Sequence, residues 1–320
     1  MKVEFKDTEQ GRVLVIAGRN KRIESEYENY PDPVSTEQLK SLIVGRHGNE
    51  KFFKNLSKNA MTNLMNPRGE NALTWNVFQS LFLLDRWDIF FDSIDIISGQ
   101  TLLNHTPGNK KPTIYFWNIM PGAGYFNYHH ARLLYQEGLC FSNFWGMYFC
   151  EPDCVVFFDN LILLIEAKLK SPFETCRKKE TDKCKGYQSC YLYQHFMTHF
   201  KKMGYTYGAK PLEECHLDNQ LYRNLRIGQL FSMLKSSAPC VMVNVLNEHS
   251  TNFVKQREQC LKFTRRLMDP SLSMEFTDYY INTASWQSIR RSIEEKNDGK
   301  SRDLAVLHKY LARHPDLQQL

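Results

Sequence analysis

No apolar stretch in this chain is long enough to cross a bilayer: the longest runs are about five to seven residues, against the roughly 20 that a spanning helix needs. The N-terminus, MKVEFKDTEQ, lacks the apolar core of a secretory signal. Nine cysteines are present, an odd number, and none forms a Cys-x-x-Cys pair. Without a secretion signal, that count argues for reduced thiols over a disulfide framework. Glycine-rich phosphate loops are missing too. Pro121-Gly122-Ala123-Gly124 lacks the strand–Gly-x-Gly-x-x-Gly–helix context of a dinucleotide site. There is no internal repeat and no low-complexity tract. Together these absences exclude a membrane span and a disulfide-stapled secreted module, and they point to a globular chain that stays in the cytoplasm.

What is present is enough for a full core. The 320 residues would fill one large domain or two small ones, and 42% hydrophobic with 24% charged residues is an ordinary globular balance. The net charge of +6 is unevenly placed. Residues 168–202 hold nine basic residues (Lys168, Lys170, Arg177, Lys178, Lys179, Lys183, Lys185, Lys201 and Lys202) against Glu174, Glu180 and Asp182. This segment therefore carries the whole net charge, and the rest of the chain sums to zero. A run of this kind suits a phosphate backbone; its plainer reading is a solvated loop. A second basic stretch, with Lys255, Arg257, Lys262, Arg265 and Arg266 against Glu258, could extend the same footprint.

The most informative segment is EPDCVVFFDNLILLIEAKLKS. CVVFF and LILLI are short β-branched and aromatic runs separated by Asp159-Asn160, a pattern that predicts a hairpin with a tight turn. Folding at that turn brings Asp153 and Glu166 to one end. Side chains alternate along a strand, so Glu166 and Lys168 share a face while Ala167 points the other way. Two carboxylates with the Ala167 carbonyl between them suit a hard cation such as Mg²⁺ or Mn²⁺. Lys168 would lie beside a water on that cation and orient or deprotonate it, which is the requirement for phosphodiester hydrolysis. The alternative is a surface hairpin whose charged residues cap its strands. Burying Glu166 and Lys168 without a use would cost several kcal/mol, and that weighs toward a site. The adjacent His129-His130 pair is a poor basis for histidine chemistry, because neighbouring side chains point apart on any regular element.

Pro152-Asp153 with Glu166-Ala167-Lys168 resembles the signature of the PD-(D/E)XK nuclease superfamily. The resemblance implies an α/β (α+β) fold with a restriction-endonuclease-like core, a small mixed central sheet flanked by helices, and Mg²⁺-dependent cleavage of nucleic acid. It makes Asp153 and Glu166 cation ligands and Lys168 the catalytic lysine. Members often carry a glutamate on the helix before the sheet, and Glu70 is placed to match. That helix is legible on its own terms: Asn66-Pro67-Arg68-Gly69 breaks the chain, then Leu73, Val77, Leu81 and Leu84 recur at helical spacing. An acid in the first turn also favours the positive helix end, so Glu70 has a purely structural explanation as well. Further on, a helix carries Gln220, Arg223 and Asn224, with Leu217, Leu221, Leu225 and Phe231 read as an opposite, apolar stripe. It resembles a site-lining helix of several restriction-endonuclease-like families, with Gln220 supporting the site and Arg223 available to nucleic acid. The other reading is an ordinary amphipathic helix.

Residues 1–65 read as an N-terminal extension with a strand at RVLVIAG and a helix from Ser35. Residues 66–250 read as the nuclease core, with an aromatic stretch at 85–99 that reads as core and a strand at 112–119 (PTIYFWNI), interrupted at 171–216 by a Cys/His/Lys-rich insertion. Residues 251–320 read as a strand, TDYYINTA, followed by the helices SWQSIRRSIEE, with Ser285 before Trp286 as its cap, and DLAVLHKYLARH. Within the insertion, Cys184, Cys190, His195 and His199 could hold a structural Zn²⁺, and some nucleases of the resembled superfamily carry an iron–sulfur cluster instead. Buried free thiols and surface histidines are the default there.

The sequence thus leaves two readings. One is a Mg²⁺-dependent endonuclease, acting on DNA in restriction or defence against foreign DNA, for which cutting both strands would favour a homodimer. The other is a nucleic-acid-binding or scaffold protein that keeps the fold without cleavage. The charge argument has its own test. Reversing two basic residues together, Lys178→Glu with Lys179→Glu, should weaken binding of a labelled duplex by roughly tenfold or more at physiological salt, read by fluorescence anisotropy. An unchanged affinity would make the basic insertion a solvated loop.

Overall fold

The computed structural model describes residues 3–8, 11–16, 69–97, 111–117, 152–173, 219–234, 238–267, 279–297 and 301–318. The chain is a mixed α/β structure around a six-stranded mixed sheet. A separate two-stranded hairpin pairs β1 (Val3–Thr8) antiparallel with β2 (Gly11–Ile16). The second of these is the strand expected at RVLVIAG. The first went unanticipated, since its alternation of charged and apolar residues is a weak pattern over so few residues. The helix expected from Ser35 lies outside the described residues.

The main sheet takes in β3 (Ile94–Asp95), β4 (Thr113–Phe116), β5 (Cys154–Phe157), β6 (Ile162–Ala167), β7 (Cys240–Leu246) and β8 (Tyr279–Ser285), in the order β3-β8-β7-β6-β5-β4. β4, β5 and β6 form an antiparallel meander. β7 then runs parallel to β6, and β8 parallel to β7. Parallel neighbours require crossovers, which helices α3 (Asn219–Leu234) and α4 (Phe253–Leu267) provide. The C-terminal strand expected over 277–284 therefore sits inside this sheet, next to β7.

Both faces are covered, and the central strands show it. Every residue of β5, β6 and β7 is buried, which is why they read as continuous apolar runs and not as alternating ones. Val156, Leu163, Ile165, Val241 and Val243 pack with α1 (Glu70–Leu84), α2 (Trp87–Asp92), α5 (Trp286–Lys296) and α6 (Arg302–Arg313). Val155, Leu164, Cys240 and Met242 pack instead with Leu221, Leu225 and Phe231 of α3 and Cys260 and Phe263 of α4. The aromatic residues of the 85–99 stretch serve this core, as expected: Trp87 and Phe90 are buried beside Phe78. α1 is buried almost all round, from Ala72 to Leu81, as a central helix must be.

The local signals act as their chemistry predicts. The β5–β6 turn closes on Asp159-Asn160, with the Phe158 N–H donating to the Leu161 carbonyl at 2.9 Å. Ser285 caps α5 in a capping box with Ser288. α6 and the following 3-10 turn, Pro315–Leu317, bury Leu307, Tyr310, Leu311 and Leu317 against the core. The tail thus completes the fold. One strand stops early: β4 was expected to run through 112–119, but Trp117 turns into the left-handed region at φ 46°. For a bulky residue this costs on the order of 1–3 kcal/mol.

Gly228 lets α3 approach the sheet. A Cβ there would meet Cys240 Sγ and Leu164 Cδ1 at 2.7 Å each, so the glycine is retained despite the roughly 1 kcal/mol it loses in a helix interior. Gly228→Ala should therefore destabilise the chain by about 1–3 kcal/mol, seen as a lower denaturation midpoint. Adding Leu164→Ala should recover part of the loss caused by the glycine change, and an equal or deeper loss would refute the close-contact explanation.

Candidate active site

The β5–β6 hairpin sets the site. Cys154 pairs with Ile165, so the residues next outward, Asp153 and Glu166, face each other across the hairpin's open end. Alternation puts Asp153, Glu166 and Lys168 on the sheet face covered by α3. None of the three lies on a solvated rim: Glu166 is 2%, Lys168 6% and Asp153 8% exposed. The surface-hairpin alternative fails on those figures.

Four elements converge on these side chains. Lys168 Nζ donates to Glu166 Oε1 at 2.8 Å. Gln220 Nε2, from the first turn of α3, donates to the same oxygen. Asn224 Nδ2, one turn on, donates to Glu166 Oε2 at 2.9 Å. Glu70 arrives from the opposite face of the sheet: its Oε2 accepts from the Leu169 N–H at 2.5 Å, and its Oε1 lies 3.8 Å from Lys168 Nζ. Asp153 Oδ2 accepts from the Ala167 N–H at 2.9 Å, and Oδ1 from the Trp117 indole N–H at 3.1 Å. Of the residues expected at the site, Asp153, Glu166, Lys168, Ala167, Glu70 and Gln220 come together.

One reading of α3 needs correction. Gln220 and Asn224 do not lie opposite an apolar stripe. They neighbour Leu221 and Leu225 on one sheet-facing side, because adjacent helical positions are only about 100° apart. Asn224 is 1% exposed, held inside by its bond to Glu166. Lys170 is largely outward, ion-paired with Asp316 at 2.6 Å. The side chain of Arg223 lies outside the described residues. So do the remaining basic candidates, Arg177, Lys178, Lys179, Lys183 and Lys185, and the metal candidates Cys184, Cys190, His195 and His199.

Three residues were missed. Trp117 touches Asp153, and the Phe173 ring lies 5.8 Å from Lys168 Nζ, within cation–π range. Neither stands out in the sequence, because no local spacing links them to the hairpin. The third is Asn244, the β7 register partner of Glu166. It is fully buried, and neither end of its amide has a partner among the described residues. A polar residue in the run CVMVNVL was its one available signal.

The electrostatics are unbalanced. Burial pushes the Asp153 carboxyl well above the usual range, and the nearby Glu166 and Glu70 push it further. Glu70 is likewise raised by burial, with Lys168 and the Leu169 N–H working against the rise. Burial pulls the Lys168 ammonium down, but Glu166, Glu70 and Asp153 outweigh it and the net direction is up. With no cation bound, these carboxylates favour the ammonium form of Lys168. Three carboxylates around one ammonium leave an excess of two negative charges when all are ionised. A divalent cation matches that excess. Each ionised carboxylate has about four lone-pair positions; Glu166 has three donors and Asp153 two, so both retain room for a ligand bond. Among the described residues, however, no group of three or more His, Cys, Asp or Glu side chains is placed to hold a metal ion between them. The donor set fits an ion held by few protein oxygens and several waters, as Mg²⁺ is.

Compared with family models, curated proteins and solved structures, the chain finds no match in any of the three.

The raised carboxyls fix a pH dependence. A folded state that binds protons more tightly than the unfolded one is most favoured below the ordinary carboxylate range, and loses that advantage as pH rises toward the raised values. In EDTA, the contribution of Asp153 and Glu70 should thus fall as pH rises from the ordinary carboxylate range toward their raised values. Asp153→Asn should unfold at higher denaturant than the parent chain near neutral pH, and should flatten this part of the pH profile. Parallel profiles for the two proteins would contradict the buried-charge account.

Proposed function

We propose that this chain is a metal-dependent nuclease of the PD-(D/E)XK type, with a restriction-endonuclease-like core, that hydrolyses phosphodiester bonds in nucleic acid, DNA most of all. The observation that carries the reading is the set of buried Asp153 and Glu166 and part-buried Glu70 around Lys168, at one end of a sheet that is mixed and flanked by helices. Maintaining such charge in a protein interior is expensive unless it is used. Hydrolysis of a phosphodiester needs what this set supplies: oxygen ligands for a divalent ion and a positioned cation for the developing charge.

Asp153 and Glu166 are the ligands in this reading, with the Ala167 carbonyl and Glu70 as further oxygens. When bound, the cation would acidify a water and neutralise charge on the phosphate. Lys168 acts as an ammonium. It orients the water and faces the negative charge that builds on the phosphate oxygens as the new P–O bond forms and the ester bond breaks. Gln220 and Asn224 hold Glu166 so that its remaining lone pair stays directed outward. Phe173 closes the side of the lysine. The basic segment after Lys168 is the natural partner surface for the phosphate backbone, and cutting both strands would favour a homodimer.

The test is incubation with supercoiled plasmid, linear duplex, single-stranded DNA and RNA, each with Mg²⁺, Mn²⁺ or EDTA. Cutting should need the metal and should disappear in Asp153→Ala. Lys168→Ala should cut at least ~100-fold more slowly while binding nucleic acid nearly as well. Retained binding with no cleavage by the parent chain on any substrate would turn the reading to a binding or scaffold protein.

A further inference from the structure

A tryptophan with φ 46° is unusual, because that region penalises any side chain with a Cβ and suits glycine or asparagine. Trp117 ends β4 there, 6% exposed, with its own N–H directed to the Asp153 carbonyl at 3.4 Å and its indole N–H on Asp153 Oδ1 at 3.1 Å. The ring is wedged beside Phe116, centroids 5.9 Å apart. A strained backbone persists only where its surroundings over-determine it, and such positions gather at functional sites. A relaxed extended residue would continue β4 past this point, and its side chain would leave the hairpin end.

We infer that Trp117 is a positioning residue for the divalent-cation site: its left-handed backbone delivers the indole N–H to Asp153 and fixes the direction in which that carboxylate offers its free lone pairs. The inference rests on the proposed nuclease reading and deepens it. Asp153 is held at both oxygens by N–H donors, one from Ala167 within the hairpin and one from Trp117 across it. With two donors fixed, the carboxylate plane cannot rotate, and the lone pair remaining on each oxygen points to one place. Removing the indole donor leaves Oδ1 free to swing about the Ala167 bond. Loss of such an outer partner characteristically weakens metal binding by about 10–100-fold. Glu166 needs no aromatic helper, because Lys168, Gln220 and Asn224 already fix it.

The test uses the full chain and Mg²⁺ alone, read as the rise in unfolding temperature with Mg²⁺ concentration and, independently, by calorimetric titration. Trp117→Phe keeps the ring and removes the donor; its half-saturating Mg²⁺ should rise about 10–100-fold, with maximal cleavage at saturating Mg²⁺ falling much less. Trp117→His, which retains a ring N–H, should recover part of the affinity. Superimposable Mg²⁺ titrations for the parent chain and Trp117→Phe would overturn the inference, as would a His variant no better than Phe. Should both variants fail to fold, the parent chain labelled with ¹⁵N-tryptophan gives the answer: one indole resonance must move as Mg²⁺ is added, and no movement overturns the proposal. A parent chain that binds no Mg²⁺ at all would instead defeat the nuclease reading on which this one stands.

Discussion

The enclosure of three carboxylates around a single ammonium, at the end of β6, is the constraint on which the site end of the structure depends. Asp153, Glu166 and Glu70 repel one another in a medium that screens poorly, and Lys168 offsets only part of that repulsion. The carboxylates are therefore held by N–H donors from several elements: Asp153 by Trp117 at the end of β4 and Ala167 in β6, Glu70 by Leu169 just after β6, and Glu166 by Gln220 and Asn224 on α3. Gly228 brings the same helix, α3, close to Cys240 and Leu164 of the sheet. An apolar core would be more stable in this place. The arrangement makes sense as one that holds a charge deficit ready for a cation.

Beyond the four charges, the neighbouring polar contacts brace the segment that carries them. Asn252 donates to the Lys170 carbonyl at 2.7 Å and Gln256 to the Ser171 carbonyl at 2.6 Å, both from the start of α4. Asp316, in the last turn of the chain, pairs with Lys170, and the Asp316 carbonyl accepts from Asn247 at 2.8 Å. The stretch after Lys168 is thus anchored by both the crossover to β8 and the C-terminal turn. In the proposed nuclease reading this rigidity would serve the chemistry, since a lysine that faces a developing charge is effective only when its position is fixed before the reaction.

Much of the candidate site was legible because it is local. Asp153, Glu166 and Lys168 fall in one hairpin whose turn, strand period and apolar fill can be read from EPDCVVFFDNLILLIEAKLKS, and alternation assigns their faces without reference to the rest of the chain. Glu70 and Gln220 were readable only as members of well-formed helices; helical spacing says where such a residue sits on its own helix and nothing about what that helix meets. The polarity of α3 misled for the same reason. Gln220 and Asn224 look like a solvent face until a buried carboxylate is placed opposite them.

The sequence by itself determined the hairpin and its charged end, the positions of α1, α3, α5 and α6, the capping by Ser285, and the absence, among the described residues, of any helix long and apolar enough to cross a membrane. Those features follow from periodicities of two and 3.6 residues and from turn chemistry, all of which act over a few residues. Tertiary structure alone decided that Glu70 crosses 99 positions of sequence to reach Leu169, that Trp117 turns its indole onto Asp153, and that Asn244 lies beside Glu166 in the sheet. Strand order, crossover and the approach of two helices to opposite faces set these meetings. No local pattern encodes them, because each arises from elements whose separate sequences carry no information about one another.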